Sequence, residues 1–281
     1  MFGLICQDDI GLVGHSLFNN YRLALYGYFG QDRFKNVNSI NDIHDMTHLF
    51  IIDEHFAPNK GIWKNDDFQG RINREEIRVI VFNFEKIYNS YFPWNVDNQN
   101  CLMRFDNCCQ FVADLDDAKL LKKNVITKQF LSRDTNLLVN ANPNKLDKIL
   151  FIGQLDGDQY NNRRQLLSSI KNLNIDVIQT NRRFSYVDFL NKMNEYRFIL
   201  NPLGTGKFVN LRHFEAVRLG CVPLQQVVDD MVDWCKEIKK TSIYFSDPMT
   251  IKDKIKDAQA FRSKEFFLED YFADICLDNF M

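Results

Sequence analysis

Short apolar runs set between longer amphipathic stretches constrain this chain more than any other feature. Leu49–Ile52 and Val79–Phe84 are rich in β-branched and aromatic residues and too short to be independent helices. Phe2–Cys6, Phe111–Ala113, Lys148–Ile152, Asp176–Gln179, Arg197–Leu200 and Val222–Gln225 read the same way. Between them lie helical patterns: a stretch through Leu17, Tyr21, Leu25 and Tyr28, then Asp114–Lys123, Arg163–Leu173, Tyr186–Asn194 and Asn210–Leu219. In Arg163–Leu173 the residues Leu166, Leu167, Ile170 and Leu173 share one face. Lys264–Met281 alternates acidic and aromatic residues and reads as a closing amphipathic helix. Strands joined through helices imply parallel sheets covered on both faces, an α/β class.

The turn-rich stretch from Asn140 to Lys145 splits this pattern near its middle. Two α/β domains are therefore expected, 1–143 and 144–281, with the last helix packing back on the first domain. Two such halves form a cleft, and α/β sheets bind ligands at strand C-termini. The 281 residues suffice for two modest domains, and a 45% hydrophobic, 26% charged composition builds ordinary cores. A net charge of −2 argues against a basic nucleic-acid footprint or a strong attraction to anionic membranes. The seven cysteines show no metal-ligand spacing and read as reduced core residues. Phe2–Cys6 is too short and lacks the basic lead of a signal peptide, and no window is long and apolar enough to span a membrane. A soluble, cytoplasmic protein is the expectation.

The run from Tyr196 to Leu224 carries the chemistry. A buried strand ends at Leu200, and a loop follows with Asn201, Pro202, Gly204, Gly206, Lys207 and Asn210. Its glycines let backbone amides approach a ligand, and the helix that follows presents free amides to an anion such as a diphosphate. Lys207 and Arg212 add positive charge. Glu215 follows Arg212 by one helical turn, and a carboxylate there suits the paired hydroxyls of a ribose.

This segment resembles the donor-binding segment of GT-B glycosyltransferases, in particular the exostosin-like group. That group has an apolar strand, a Pro-x-Gly-x-Gly loop, an Arg shortly before a Glu-Ala pair, and Gly-Cys-x-Pro. Here these stand as Pro202, Gly204, Gly206, Arg212, Glu215-Ala216 and Gly220-Cys221-Val222-Pro223, with Trp234 about where the group often has a Trp. Phe151–Gly153 followed by Arg163 and Arg164 is similar to the first strand, loop and basic helix start of the same domain. The resemblance covers roughly Ile149 to Trp234, and the first half matches in rhythm alone. Leu203 replaces a basic residue common in the group, so donor identity does not carry over. The short form without a membrane anchor resembles microbial or large-virus relatives, which implies the host cytoplasm if viral.

What the resemblance implies is a two-Rossmann-domain enzyme with a nucleotide-sugar co-substrate, UDP-linked by the group's habit, and no further cofactor. Arg212, Lys207, the Gly204–Gly206 loop, Arg163 and Arg164 would hold the diphosphate, Glu215 the ribose. Gly153 and Thr180, Asn181 and Arg182 would flank the nucleotide, and a sugar would pass to a hydroxyl of an oligosaccharide or glycoprotein glycan. An inverting reaction needs a base on the acceptor side. His15, Glu54 (beside Asp53) and Glu85 follow first-domain strands and are the candidates; a retaining reaction needs none of them. Trp63, Tyr91 and Trp94 are loop aromatics that can stack on sugar faces, though a Trp in a loop is more often a local packing anchor. Asp114 and Asp116 form a D-x-D, the metal-binding sign of the GT-A fold. Their place before Ala118–Lys123 favours a helix cap, and Asp156-Gly157-Asp158 reads as a turn, so no metal is expected. A metal-dependent GT-A enzyme and a non-catalytic nucleotide-binding protein of the same fold remain as alternatives.

Overall fold

The computed structural model describes residues 1–6, 16–52, 65–84, 86–87, 105–121, 124–133, 139–180, 184–231, 238–256, 258 and 267–280. The chain divides into two compact units. Unit 1 gathers Met1–Asp9, Phe18–Thr135 and Phe267–Met281, and unit 2 gathers Ile10–Leu17 and Asn136–Phe266.

Unit 1 holds β1 (Phe2–Cys6), α1 (Ser16–Phe29, from Phe18 on), β2 (Phe34–Asn36), β3 (His48–Ile52), α2 (Asp66–Asn73), β4 (Arg78–Asn83), β5 (Cys108–Val112), α3 (Leu115–Leu120) and β6 (Asn124–Ile126). Its six strands are all parallel, in the order β2-β1-β3-β4-β5-β6. Alternation along each strand sends side chains to opposite faces. Ile5, Leu49, Ile51, Val79 and Val81 meet Phe68 and Ile72 of α2 on one face. The other face is aromatic. Phe2 packs edge-on to Phe29 and Phe50, Tyr21 tilts against Phe82 and Phe84, and Phe82 stacks on Phe111.

Unit 2 holds β7 (Leu146–Gly153), α4 (Asn161–Ser169), β8 (Ile175–Gln179), α5 (Tyr186–Asn194), β9 (Tyr196–Asn201), α6 (Leu211–Arg218), β10 (Val222–Gln226), β11 (Ile243–Phe245) and α7 (Ile251–Lys256). Its five parallel strands run β11-β10-β9-β7-β8. Phe151, Phe198, Leu200 and Leu224 meet Leu166 and Ile170 on one face. Leu150, Ile152 and Ile199 meet Phe189, Leu190, Ala216 and Leu219 on the other. The result is a mixed α/β chain with two parallel sheets, in keeping with two Rossmann-like domains.

The last helix, α8 (Leu268–Asp274), belongs to unit 1, where Phe272 is fully buried against Tyr21 and Phe82. Lys264–Met281 is therefore not one helix: α8 ends at Asp274 and a separate 3-10 turn covers Leu277–Phe280. Three further expectations need correction. The helix expected over Arg163–Leu173 begins at Asn161 and stops at Ser169, where the chain turns toward β8. The one expected over Asp114–Lys123 shrinks to Leu115–Leu120. The strand expected at Phe111–Ala113 begins at Cys108, pairing with Val79 of β4. Among the described residues no helix is long and apolar enough to cross a membrane, and Cys6, Cys108, Cys109, Cys221 and Cys276 are free thiols.

Candidate functional site

In each sheet the strand order reverses beside the first strand, and the crevice at such a reversal is where open α/β sheets take ligands. In unit 2 the reversal lies between β8-β7 and β9. There β7 ends at Gly153 and β9 at Asn201, and Thr180 at the end of β8 donates its amide to the Gly153 carbonyl at 3.0 Å. The loop from Pro202 to Asn210 is anchored by buried Phe208 and Val209 and leads into α6.

Two arginines converge on this edge. Arg212, in the first turn of α6, donates to the Asn201 Oδ1 at 3.3 Å and lies over the Phe151 ring at 5.7 Å. A Cβ on Gly153 would stand 2.6 Å from its Nη2, so the guanidinium lies against the bare glycine backbone. Part of the side chain is open to solvent, yet its Nε is enclosed and has no hydrogen-bond partner. Arg163, buried on α4, donates to the Gln154 carbonyl at 3.2 Å and lies over Tyr160 at 4.4 Å. Its Nη2 reaches within 3.4 Å of where a Gly204 Cβ would be. Burial, and then the charge of Arg163, pull Arg212 down to about 9, while Glu215 opposes them. Arg212 is still a cation at neutral pH, in a place that repels it. Guanidinium forks at such an edge have the chemistry to bind an anion with several oxygens.

Glu215 is buried on α6 and accepts a hydrogen bond from the Tyr186 hydroxyl of α5 at 2.7 Å. Burial raises its carboxyl to about 7, against the lowering effects of Tyr186 and Arg212. Beneath the arginines runs a set of amides. Asn201 Nδ2 donates to Gln225 Oε1, and Gln226 Oε1 accepts from the Leu203 amide at 3.0 Å. His213, held neutral by burial, lies 3.4 Å from the Thr241 hydroxyl. The Asn201 amide is thereby fixed with its oxygen toward Arg212.

The structure thus brings Gly153, Thr180, Asn201, Pro202, Gly204, Arg163, Arg212 and Glu215 to one edge. Two expected diphosphate ligands are engaged elsewhere. Lys207 pairs with Asp230 at 3.0 Å. Arg164 donates to the carbonyls of Leu155 and Gly157 and to Asn161, so it holds its own loop rather than facing Gly204. Asn210 stands at the N-cap position without a side-chain cap bond and donates to the Pro202 carbonyl at 3.3 Å. Gly206 is buried within the loop. Asn181, Arg182, His15, Asp53, Glu54, Glu85, Trp63, Tyr91, Trp94 and Trp234 lie outside the described residues.

Tyr160, Tyr186, Gln225 and Gln226 join the site without having been singled out in the sequence. The available signal was an amide closing each of two apolar strands, Asn201 on β9 and Gln225 near the end of β10. In unit 1, Asp114 is the N-cap of α3, accepting from the Asp116 and Asp117 amides at 2.9 and 3.2 Å. Lys86 lies 3.8 Å from Asp114 and 3.3 Å from Asp116. Among the described residues no group of three or more His, Cys, Asp or Glu side chains could hold a metal ion. No protein-family model matches this chain, and no curated protein matches it either.

Proposed function

We propose that this chain is a glycosyltransferase of the GT-B kind, using a nucleoside-diphosphate sugar and transferring its sugar to a hydroxyl of a glycan. The observation that carries the reading is the placing of Arg212 against Gly153 and of Arg163 beside Gly204, each acting on one edge at the strand-order reversal of unit 2. The charge of Arg163 disfavours that of Arg212, which an anion near both would relieve, and a diphosphate offers oxygens for each fork. Glu215, one turn beyond Arg212, takes the ribose hydroxyls. During transfer the acceptor hydroxyl gives its proton to a base on the acceptor side and attacks the anomeric carbon, the bond from that carbon to the diphosphate oxygen breaks, and negative charge grows on the leaving diphosphate. The two guanidiniums stabilise that charge without a metal ion. UDP is the favoured donor nucleotide, by resemblance of the segment from Pro202 to Pro223.

A thermal-shift series with UDP, GDP, CDP and their sugars, with and without EDTA, tests this. Ligand that binds the native state alone stabilises it by about 2.7 kcal/mol at a hundredfold excess over Kd. One nucleotide should raise Tm, with EDTA making no difference and Arg212→Ala abolishing the shift. A shift that EDTA removes would favour metal-dependent chemistry. A nucleotide shift without transfer or donor hydrolysis would favour a binding protein. No shift with any nucleotide would sink the donor reading.

A further inference from the structure

We infer that Tyr186 is the positioning residue for Glu215: its hydroxyl keeps one carboxylate oxygen occupied and the carboxylate ionised, and so sets the pH below which the donor nucleotide is released. This rests on the donor reading for its ligand, but the Tyr186–Glu215 pairing stands on geometry. Tyr186 opens α5 after the Ser185 cap, whose hydroxyl accepts from the Asp188 amide. That cap fixes where the helix starts and turns the ring toward α6, where its hydroxyl meets Oε1 of Glu215 at 2.7 Å. The ring also lies nearly parallel to that of Phe189, one turn on, with centroids 6.3 Å apart. A phenol that donates to one oxygen leaves the second oxygen for ribose hydroxyls, and favours the charged form that accepts them.

Glu215 is poised where such control has effect. Burial lifts its carboxyl to about 7, and Tyr186 followed by Arg212 pulls it back. Several other ionisable groups on the neighbouring elements are engaged with other partners. On α5, Asp188 bonds Ser185 and Lys192 pairs with Glu195. On β9, Tyr196 and Arg197 turn to Asp176 and Asp147. On α6 itself His213 is neutral, Arg218 stands one turn beyond Glu215 but is not among the groups that shift its carboxyl, and β10 carries no ionisable residue. Because the folded value is raised, the carboxylate is ionised above about pH 7 and protonated below it. Nucleotide affinity therefore falls as pH drops through that value.

The test uses the full chain with ¹³C-labelled glutamate. The Glu215 carboxyl signal, assigned by its loss in Glu215→Gln, is titrated without ligand in the wild type and in Tyr186→Phe. In parallel, affinity for UDP, GDP and CDP is measured from pH 5.5 to 8.5. Tyr186→Phe should raise the titration midpoint by about one pH unit, a tenfold change in proton affinity. Nucleotide affinity should then fall about fivefold at pH 7 and recover to within about 1.5-fold at pH 8.5, as the ionised fraction dictates. Glu215→Gln should bind weakly and flatten the pH dependence. A midpoint that Tyr186→Phe leaves in place overturns the inference, whatever binds. A uniform loss of affinity at all pH values does so too, since that marks a merely structural tyrosine. If no nucleotide binds, the donor reading falls with the link to release, and the titration alone decides the pairing.

Discussion

At the strand-order reversal of unit 2, β7 and β9 end in Gly153 and Asn201 beneath two guanidiniums; at that of unit 1, β1 and β3 end in Cys6 and Ile52. Counted within each, the two sheets share the order 2-1-3-4-5, to which unit 1 adds a sixth strand at the far edge, and both are covered on two faces. They differ in what their edges offer. The unit 2 edge combines bare backbone, fixed amides and positive charge, which is the chemistry of an anion receptor. The described part of the unit 1 edge is apolar at its reversal, with Ile52 fully buried and the Cys6 thiol turned to the Phe18 carbonyl. A shared topology supplies a place for a ligand, and the residues at the strand ends decide its charge.

That contrast can be broken most severely by removing an aromatic anchor from unit 1. Phe272→Ala empties a fully buried ring site against Tyr21 and Phe82, at a cost of about 3–5 kcal/mol. Thermal unfolding should show a weakened unit 1, whereas nucleotide affinity measured well below the transition should be kept. Loss of both together would show that the unit 2 edge depends on an intact unit 1. Next comes Arg212→Ala. Losing a charge-assisted contact worth roughly 3 kcal/mol should weaken nucleotide binding about a hundredfold. Its Tm without ligand should hold or rise, because the repulsion from Arg163 goes with it. A large drop in ligand-free Tm would instead mark Arg212 as a structural residue.

Smaller and more discriminating is a pair of alanines. In Gly153→Ala the new Cβ meets Arg212 Nη2 at 2.6 Å and must push the guanidinium aside, whereas in Gly204→Ala it meets Arg163 Nη2 at an ordinary 3.4 Å. Calorimetry should find affinity lowered about tenfold in the first and less than about threefold in the second. Equal effects would deny that the closer approach of Arg212 to its glycine matters for binding. Smallest of all, Lys207→Ala should change affinity by about twofold or less, since that ammonium is engaged by Asp230 in a partly exposed pair.

How far the sequence leads follows from what each element asks of its residues. Strands buried on both faces must be continuous apolar runs, so β3, β4 and β9 are legible, as is the helix Tyr186–Asn194 behind its Ser185 cap. Edge strands β2, β6 and β11 are three residues long and partly exposed, with no such run to announce them. At the site, the loop glycines, Arg212 and Glu215 stand close together in the chain, and their spacing carries meaning. The Tyr186 hydroxyl and the Gln225 amide reach their partners across 29 and 24 residues, so only the fold brings them there. The placing of Arg164 is hidden for a similar reason: beside Arg163 in sequence, it is rotated on the helix toward the carbonyls of Leu155 and Gly157.

The seat of α8 on the aromatic face of unit 1 has a consequence for how the protein is made. A ribosome releases the chain from its N-terminal end, so the stretch 136–266 emerges entire while the first sheet still lacks its last covering helix. The strands of the later-encoded sheet are likewise all synthesised before that helix. The earlier one must wait, with Tyr21 and Phe82 uncovered on that side, until the final helix arrives.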